Sequence, residues 1–317
     1  MRKILNVIFI ATLLICFNCI EEIELETQDF ESVLVVEGTI TNAFKFQEIK
    51  LSRTYLLEGN EQKLENNANV QILDNQGNLY TFTQNLEGVY VSNIEFEAVP
   101  NMGYTLNITT SNGKQYKSTE TKLTPISQID SLYVEYNEGE ENEVQILVDS
   151  DNAPNGAKYF RYEYEETSKV IVPYYSNFNA IVTNVVDNLI EFEYEIVLVD
   201  KTEEQRICYT TNSSFEIIQT STTQFDNNTV NRFPVRTIDK ENSVLRERYS
   251  ILVKQYSQSL EAYNFYKIIH DLSVSESLLS ENQPGYVIGN LISINDNVEK
   301  IVGYFDVASV SSEKTIF

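Results

Sequence analysis

Val70 to Thr83 reads VQILDNQGNLYTFT. Val70 and Ile72 alternate with Gln71, and Tyr80 and Phe82 alternate with Thr81 and Thr83. A two-residue period of this kind puts apolar side chains on one face of a strand. Asp74-Asn75-Gln76-Gly77 lies between the two runs. Asp bonds to its own downstream backbone and Gly accepts positive φ, so these four residues predict a turn and the whole stretch a β-hairpin. The same pattern extends outward. Upstream, Val33 to Thr41 (VLVVEGTIT) is strand-like, and Glu48 to Tyr55 places Ile49, Leu51 and Arg53 on one side. Downstream, Tyr104, Leu106 and Ile108 alternate with Thr105, Asn107 and Thr109, and Asn112-Gly113 closes a further hairpin. Short strands punctuated by turns at this spacing predict an antiparallel sandwich of Ig-like or transthyretin-like type over residues 32–124.

Thr124-Pro125 marks the expected boundary, because Pro removes a ladder donor. A second β-rich domain is expected over 125–317. Phe160, Tyr162 and Tyr164 alternate with Arg161, Glu163 and Glu165, and Phe192, Tyr194, Ile196 and Leu198 alternate with Glu191, Glu193 and Glu195. Both stretches read as half-solvated strands, one face apolar and one charged. Ile251, Val253, Ile301–Phe305 and Lys314–Phe317 continue the β pattern. One segment differs. In Ser259 to Leu272, Ala262, Phe265, Tyr266, Ile269 and Leu272 recur at helical spacing. Ser259 can cap that helix and Glu261 suits its first turn. The fold class is therefore mostly β, with one α-helix in the second domain.

The N-terminus speaks to destination. Arg2-Lys3 is followed by an apolar run, Ile4 to Phe17, broken by Asn6, Thr12 and Cys16. The run is short for a bilayer span, which needs about 20 residues. It fits the apolar region of a signal peptide over 1–18. The run ends in Cys16-Phe17-Asn18-Cys19, a relaxed form of the site at which lipoproteins are cut and lipidated on cysteine. Cys19 is the expected lipidated residue, and residues 19–31, rich in Glu, the tether. A plain secretory signal and a retained anchor are the alternatives.

With 47 Asp and Glu against 23 Lys and Arg, the formal charge is −24, which becomes −26 once Arg2 and Lys3 are removed. A nucleic-acid partner needs a net basic face, and this composition offers none. Once Cys16 leaves and Cys19 is lipidated, only Cys208 remains as a thiol, so no intrachain disulfide can form; Cys208 is expected to be a small buried apolar residue. His270 is the single histidine. Zinc centres and Ser-His or Cys-His catalysis have little material here, and His270 is expected to be structural or on the surface. Asp149-Ser150-Asp151-Asn152 before Gly156 carries oxygen ligands but lacks the positions of an EF-hand loop, and reads as a solvated turn. The acidic loop Asn137 to Glu143 is an equally weak calcium candidate. No metal, cofactor or catalytic residue is expected. Tyr162, Tyr164, Tyr174 and Tyr175, close in sequence, belong either to a large sheet's core or to a partner surface.

Several segments resemble the Bacteroidota lipoproteins of domain of unknown function family 4249. Leu34 to Asn42 resembles the family's opening strand, and Gly88-Val89-Tyr90 and Gly103 to Leu106 resemble its turn-and-strand units. Ile129-Asp130-Ser131-Leu132 is similar to the opening of its second half. Cys208-Tyr209, Arg248 to Ile251, Glu261 to Tyr266, Gln283-Pro284-Gly285, Gly289-Asn290 and Gly303-Tyr304-Phe305 follow in order. The resemblance implies an envelope lipoprotein, often encoded beside TonB-dependent outer-membrane transporters, with no assigned activity. Glu21-Glu22 resembles the acidic signal that sends such lipoproteins to the cell surface. Asp130-Ser131-Leu132 resembles an O-glycosylation site, with Ser131 as the modified residue. The expected function is that of a non-enzymatic, lipid-anchored surface protein of the outer membrane, accessory to such a transporter or another envelope protein. A surface adhesin, or an envelope hydrolase using unidentified carboxylates, is the alternative.

Overall fold

The fold is described from a computed structural model, over residues 32–54, 63–85, 88–137, 142–150, 156–187, 192–203, 205–224, 228–274, 287–296 and 298–317. It is mostly β, with one α-helix among the described residues. The N-terminal half contributes β1 (Leu34–Thr41), β2 (Glu48–Arg53), β3 (Lys63–Leu64), β4 (Asn69–Asp74), β5 (Leu79–Gln84), β6 (Val89–Ser92), β7 (Gly103–Thr109), β8 (Gln115–Ser118) and β9 (Thr121–Lys122). The rest comprises β10 (Ile129–Asn137), β11 (Glu143–Ser150), β12 (Tyr159–Ile171), β13 (Phe178–Asp187), β14 (Phe192–Asp200), β15 (Ile207–Ser213), β16 (Ile218–Ser221), β17 (Val230–Asp239), β18 (Tyr249–Gln258), α1 (Leu260–Val274), β19 (Leu291–Ser293) and β20 (Ile301–Ile316).

The hairpin β4–β5 forms in the register the alternation requires, Val70 opposite Phe82 and Ile72 opposite Tyr80. Its turn is held by Asp74, whose carboxylate accepts from the Gln76 and Asn78 backbone N–H groups at 3.0 and 2.8 Å. Gly77 takes φ +93° there. Leu34, Val36, Ile49, Leu51, Val70, Ile72, Tyr104, Leu106 and Ile108 are all buried in one core with Phe305 and Val307.

The last two residues of that group come from β20, which binds the two halves together. Its first half runs parallel to β1, from Leu34 opposite Ile301 to Thr41 opposite Ala308. Its second half runs antiparallel to β18, from Ser257 opposite Ser309 to Ser250 opposite Ile316. The N-terminal sandwich is thus not purely antiparallel, as the local patterns suggested: its β1 edge is closed by a parallel strand from the far end of the chain. β19 also joins this sandwich by pairing with β8. The Thr124-Pro125 segment is tied to the same seam, Thr124 donating to the Ser257 carbonyl at 2.8 Å and accepting from the Ser309 N–H at 2.9 Å.

Gly303 lies at the tightest point of the seam. It has φ +146°, and a Cβ there would stand 2.2 Å from the Val36 carbonyl oxygen. A Cβ on Gly289 would stand 1.6 Å from the Gly303 oxygen. Beside them Asn290 imitates a strand, accepting from Phe305 N–H and donating to Phe305 C=O, both at 2.8 Å.

In the second half the sheet β10–β11–β17 covers β12 and β18, burying Ile146, Val148, Phe160, Tyr162, Tyr249, Ile251 and Val253. α1 starts where Ser259 caps it, its hydroxyl accepting from Ala262 N–H at 3.1 Å. Ala262 and Phe265 are buried against Tyr304, with Tyr266, Ile269 and Val287 packed around them.

Candidate functional site

β15 is the edge strand of the large sheet, and its pairing with β12 ends with Ile171 opposite Ile207. Pro173 then interrupts the ladder. Pairing resumes where Lys201 N–H donates to the Asn177 carbonyl at 2.8 Å, and β13 and β14 continue as an antiparallel hairpin. The segment is rich in β-branched residues, Ile181, Val182, Val185, Ile196, Val197 and Val199, which favour extended backbone. A bulge between Thr183 and Val186 is stabilised by Asn184, which takes φ +50° and donates to the Glu195 carboxylate at 2.8 Å.

Directly opposed residues share a face. Ala180 with Leu198 and Val182 with Ile196 lie on one side, together with Tyr194 and Phe192 of β14. Nothing among the described residues covers them: Phe192 is 67%, Leu198 64%, Ile196 55% and Tyr194 53% exposed. On the opposite side lie Glu193, Glu195, Ile181, Val197 and Val199, exposed as well. The expectation that 192–199 is a half-buried strand therefore fails on its apolar side, because the hairpin stands off the body beyond both cores. An isolated two-stranded hairpin is marginal in water, and large uncovered apolar faces mark interaction sites. Residues 178–200 also contain Asp187, Glu191, Glu193, Glu195 and Asp200 and no Lys or Arg.

An open groove of about 560 Å³ lies elsewhere, between α1, β16 and β17. Tyr164, Phe233, Arg236, Tyr263, Lys267 and His270 line it. Its cations are already engaged. Arg236 holds the buried Glu166 through contacts of 3.1 and 3.3 Å, and Glu166 also accepts from the Tyr249 hydroxyl at 2.6 Å. Burial works against the Arg236 charge, but Glu166 outweighs it and the guanidinium pKa is raised. Lys267 pairs with Asp271 at 3.1 Å. His270 is exposed on α1. Among the described residues, no group of three or more His, Cys, Asp and Glu side chains could hold a metal.

Beneath α1 lies a half-buried ionic cluster. Arg161 pairs with Glu163 and lies over the rings of Tyr256 and Tyr266, at 4.6 and 5.0 Å. Glu163 accepts from the Tyr256 hydroxyl at 2.9 Å. Burial alone would raise the Glu163 pKa, but Arg161 holds it below the ordinary value. Asp306 is fully buried, and no hydrogen bond of normal geometry reaches either carboxylate oxygen among the described residues. Desolvation pushes its pKa up to about 6, with Arg161 only partly opposing.

The expected site residues are placed as follows. Cys19, Glu21 and Glu22 lie outside the described residues, as do Gln283-Pro284-Gly285 and Asp151-Asn152. Ser131 lies half-buried in β10, its hydroxyl bonded to Asp149 at 3.1 Å. Asp149 also accepts from Tyr133 and from the Arg232 N–H, so its carboxylate is engaged within the protein. Tyr162 is core, Tyr164 lines the groove, and Tyr174 is 92% exposed beside the base of the hairpin. Tyr175 sits under the Lys201 ammonium at 4.7 Å. Cys208 is exposed, not buried, because β15 is an outer strand with no layer over it. Sequence reasoning overlooked the hairpin; the usable signal was a β-rich segment of 23 residues with five acids and no base.

Among solved structures, the chain is similar to a membrane-anchored protein from Corynebacterium diphtheriae, at 15% identity and a TM-score of 0.16. The alignment covers 71% of this chain and 55% of that one, so it spans about half of that protein's length; a likeness this weak carries no argument. No curated protein matches the chain. A family model, Domain of unknown function (DUF4249), matches residues 20–314. Since that match takes in nearly all of the sequence, the chain belongs to the DUF4249 family.

Proposed function

We propose that the protein is a lipid-anchored envelope lipoprotein of the Bacteroidota type that performs no chemistry itself and acts as a binding component of an outer-membrane assembly. The observation that carries this reading is the uncovered apolar hairpin β13–β14. A strand pair that buries nothing of its own gains stability only when a second surface covers it. The leader ending in Cys19 supports the anchor, and Glu21-Glu22 supports export to the cell surface. Among the described residues no helix is long and apolar enough to cross a membrane. A TonB-dependent transporter, as the family resemblance implies, or another envelope protein is the proposed partner.

Two measurements test the reading. Cys19→Ala should leave the precursor uncut or move the protein from the detergent phase to the aqueous phase; normal processing with unchanged membrane retention would refute the anchor. Affinity purification of the full chain from detergent-solubilised membranes should bring down an envelope protein, and deletion of 178–200 should remove it. An unaltered partner after that deletion would refute the hairpin as the docking element.

A further inference from the structure

The free edge of β14 offers more than an apolar face. β13 occupies one edge of β14, and no described strand occupies the other. Exposed edges in soluble proteins are ordinarily blunted by Lys, Pro or a bulge, because an open row of N–H and C=O groups templates further pairing. The outer edge of the hairpin at β13 carries such a bulge, at Asn184 and Val185. β14, Phe192 to Asp200, has no Lys, no Pro, no Gly and only extended backbone, over nine residues.

We infer, on the reading that this hairpin is the docking element, that β14 accepts an added strand: an extended segment of a partner protein that alternates apolar and basic residues where it lies opposite Glu193 and Glu195 and is apolar elsewhere. A strand laid on that edge brings its side chains within about 4.5–5.5 Å of those of β14 on each face. On one face they meet Phe192, Tyr194, Ile196 and Leu198, which call for apolar residues. On the other they meet Glu193 and Glu195 toward the hairpin tip, which call for Lys or Arg, and Val197 and Val199 toward its base, which call for apolar residues. Opposite charges across a ladder are favourable and like charges are not. The hairpin's five acids and the chain's charge of −24 weigh against a second copy of this chain and against an anionic bilayer. Backbone pairing with alternate pockets is an established mode of peptide capture, in which the ladder supplies affinity and the side chains specificity.

The test uses the full mature chain and a nine-residue peptide alternating valine and lysine, titrated calorimetrically. Two control peptides carry glutamate for lysine, or N-methyl groups on alternate amides. The lysine peptide should bind saturably, with at least tenfold loss on N-methylation and on the double substitution Glu193→Lys, Glu195→Lys. That variant should instead take the glutamate peptide. Its melting curve should stay close to that of the unaltered chain, since both residues lie outside the cores and the one hydrogen bond lost, from Asn184 to Glu195, is exposed. Absence of binding overturns the inference, as does equal binding of the N-methylated peptide, which would indicate charge alone. Sedimentation of the chain as a dimer that Ile196→Pro dissociates assigns the edge to a second copy, and binding to phosphatidylglycerol vesicles that deletion of 178–200 abolishes assigns it to lipid; both overturn it. If deletion of 178–200 abolishes partner recovery while the peptide fails to bind, the docking reading stands and the edge inference falls.

Discussion

Asp306→Asn isolates the energetics of the cluster under α1. The Asp306 carboxyl is fully buried on β20, and its pKa rises from 3.8 to about 6 because desolvation disfavours the ion more than Arg161 favours it. A folded-state pKa above the unfolded value means the native protein prefers the proton. Below pH 3.8 both states carry it and this group leaves stability unchanged. As pH rises through the interval to about 6, the unfolded chain ionises first and stability falls; above it the full penalty is present. A tenfold change in an acid constant is about 1.4 kcal/mol, so the penalty is about 3 kcal/mol. Asn is nearly isosteric and cannot ionise. Its amide brings a cost of its own, about 1–3 kcal/mol for an unsatisfied group, but that cost does not depend on pH. The decisive quantity is therefore the change in the difference between variant and parent, not the difference at one pH. About 0.6 kcal/mol of the penalty is already present at pH 4, so urea unfolding at pH 4 and at pH 7.5 should show Asp306→Asn gaining about 2.4 kcal/mol on the parent between the two, with the melting temperature shifting in the same direction. A difference independent of pH, or one that turns against the variant as pH rises, would refute the argument and make the Asp306–Arg161 attraction the larger effect.

Three further outcomes follow from the packing. Tyr266→Ala removes the ring between α1 and Arg161 and should destabilise the protein by about 3 kcal/mol, read as a lower melting temperature, whereas His270→Ala on the exposed face should change it by less than about 0.5 kcal/mol. Gly289→Ala drives a Cβ into the Gly303 carbonyl, a backbone atom that cannot rotate away, and should cost about 3 kcal/mol by denaturant titration; a neutral result would mean that the 287–290 segment shifts freely. Cys208, exposed on β15, should react with a chromogenic disulfide reagent in the native protein, and a thiol that reacts only in denaturant would place β15 beneath another layer.

Local chemistry was enough to reveal the strands, and the reason is visible residue by residue. Ile49, Leu51, Val70, Ile72, Leu106 and Ile108 are at most 1% exposed, each on the face its alternation assigned. Asp74 and Gly77 form the turn their side chains favour, and Ser259 caps the helix it precedes. Pairing partners are a different matter. Nothing in Ile301–Ala308 distinguishes a strand that runs parallel to Leu34–Thr41 from any other apolar strand, because a parallel pair has no turn to announce it. The glycines there stand out in the sequence by resemblance alone, whereas in the fold Gly289 and Gly303 meet at a backbone contact that admits no side chain.

The hairpin shows the limit most sharply. Phe160-Arg161-Tyr162 and Phe192-Glu193-Tyr194 have the same alternation, yet Phe160 and Tyr162 are fully buried while Phe192 and Tyr194 are more than half exposed. Alternation reports that one face of a strand prefers to leave water; it carries no information about which molecule supplies the cover. For β12 the cover is β10–β11–β17, folded from the same chain. For β14 no described part of the chain supplies it, and acids are interleaved with its apolar residues near the tip. A buried face and an uncovered apolar face are thus written in the same period-two code, and only the topology, which pairs β13 and β14 with each other and with no other described strand, tells them apart.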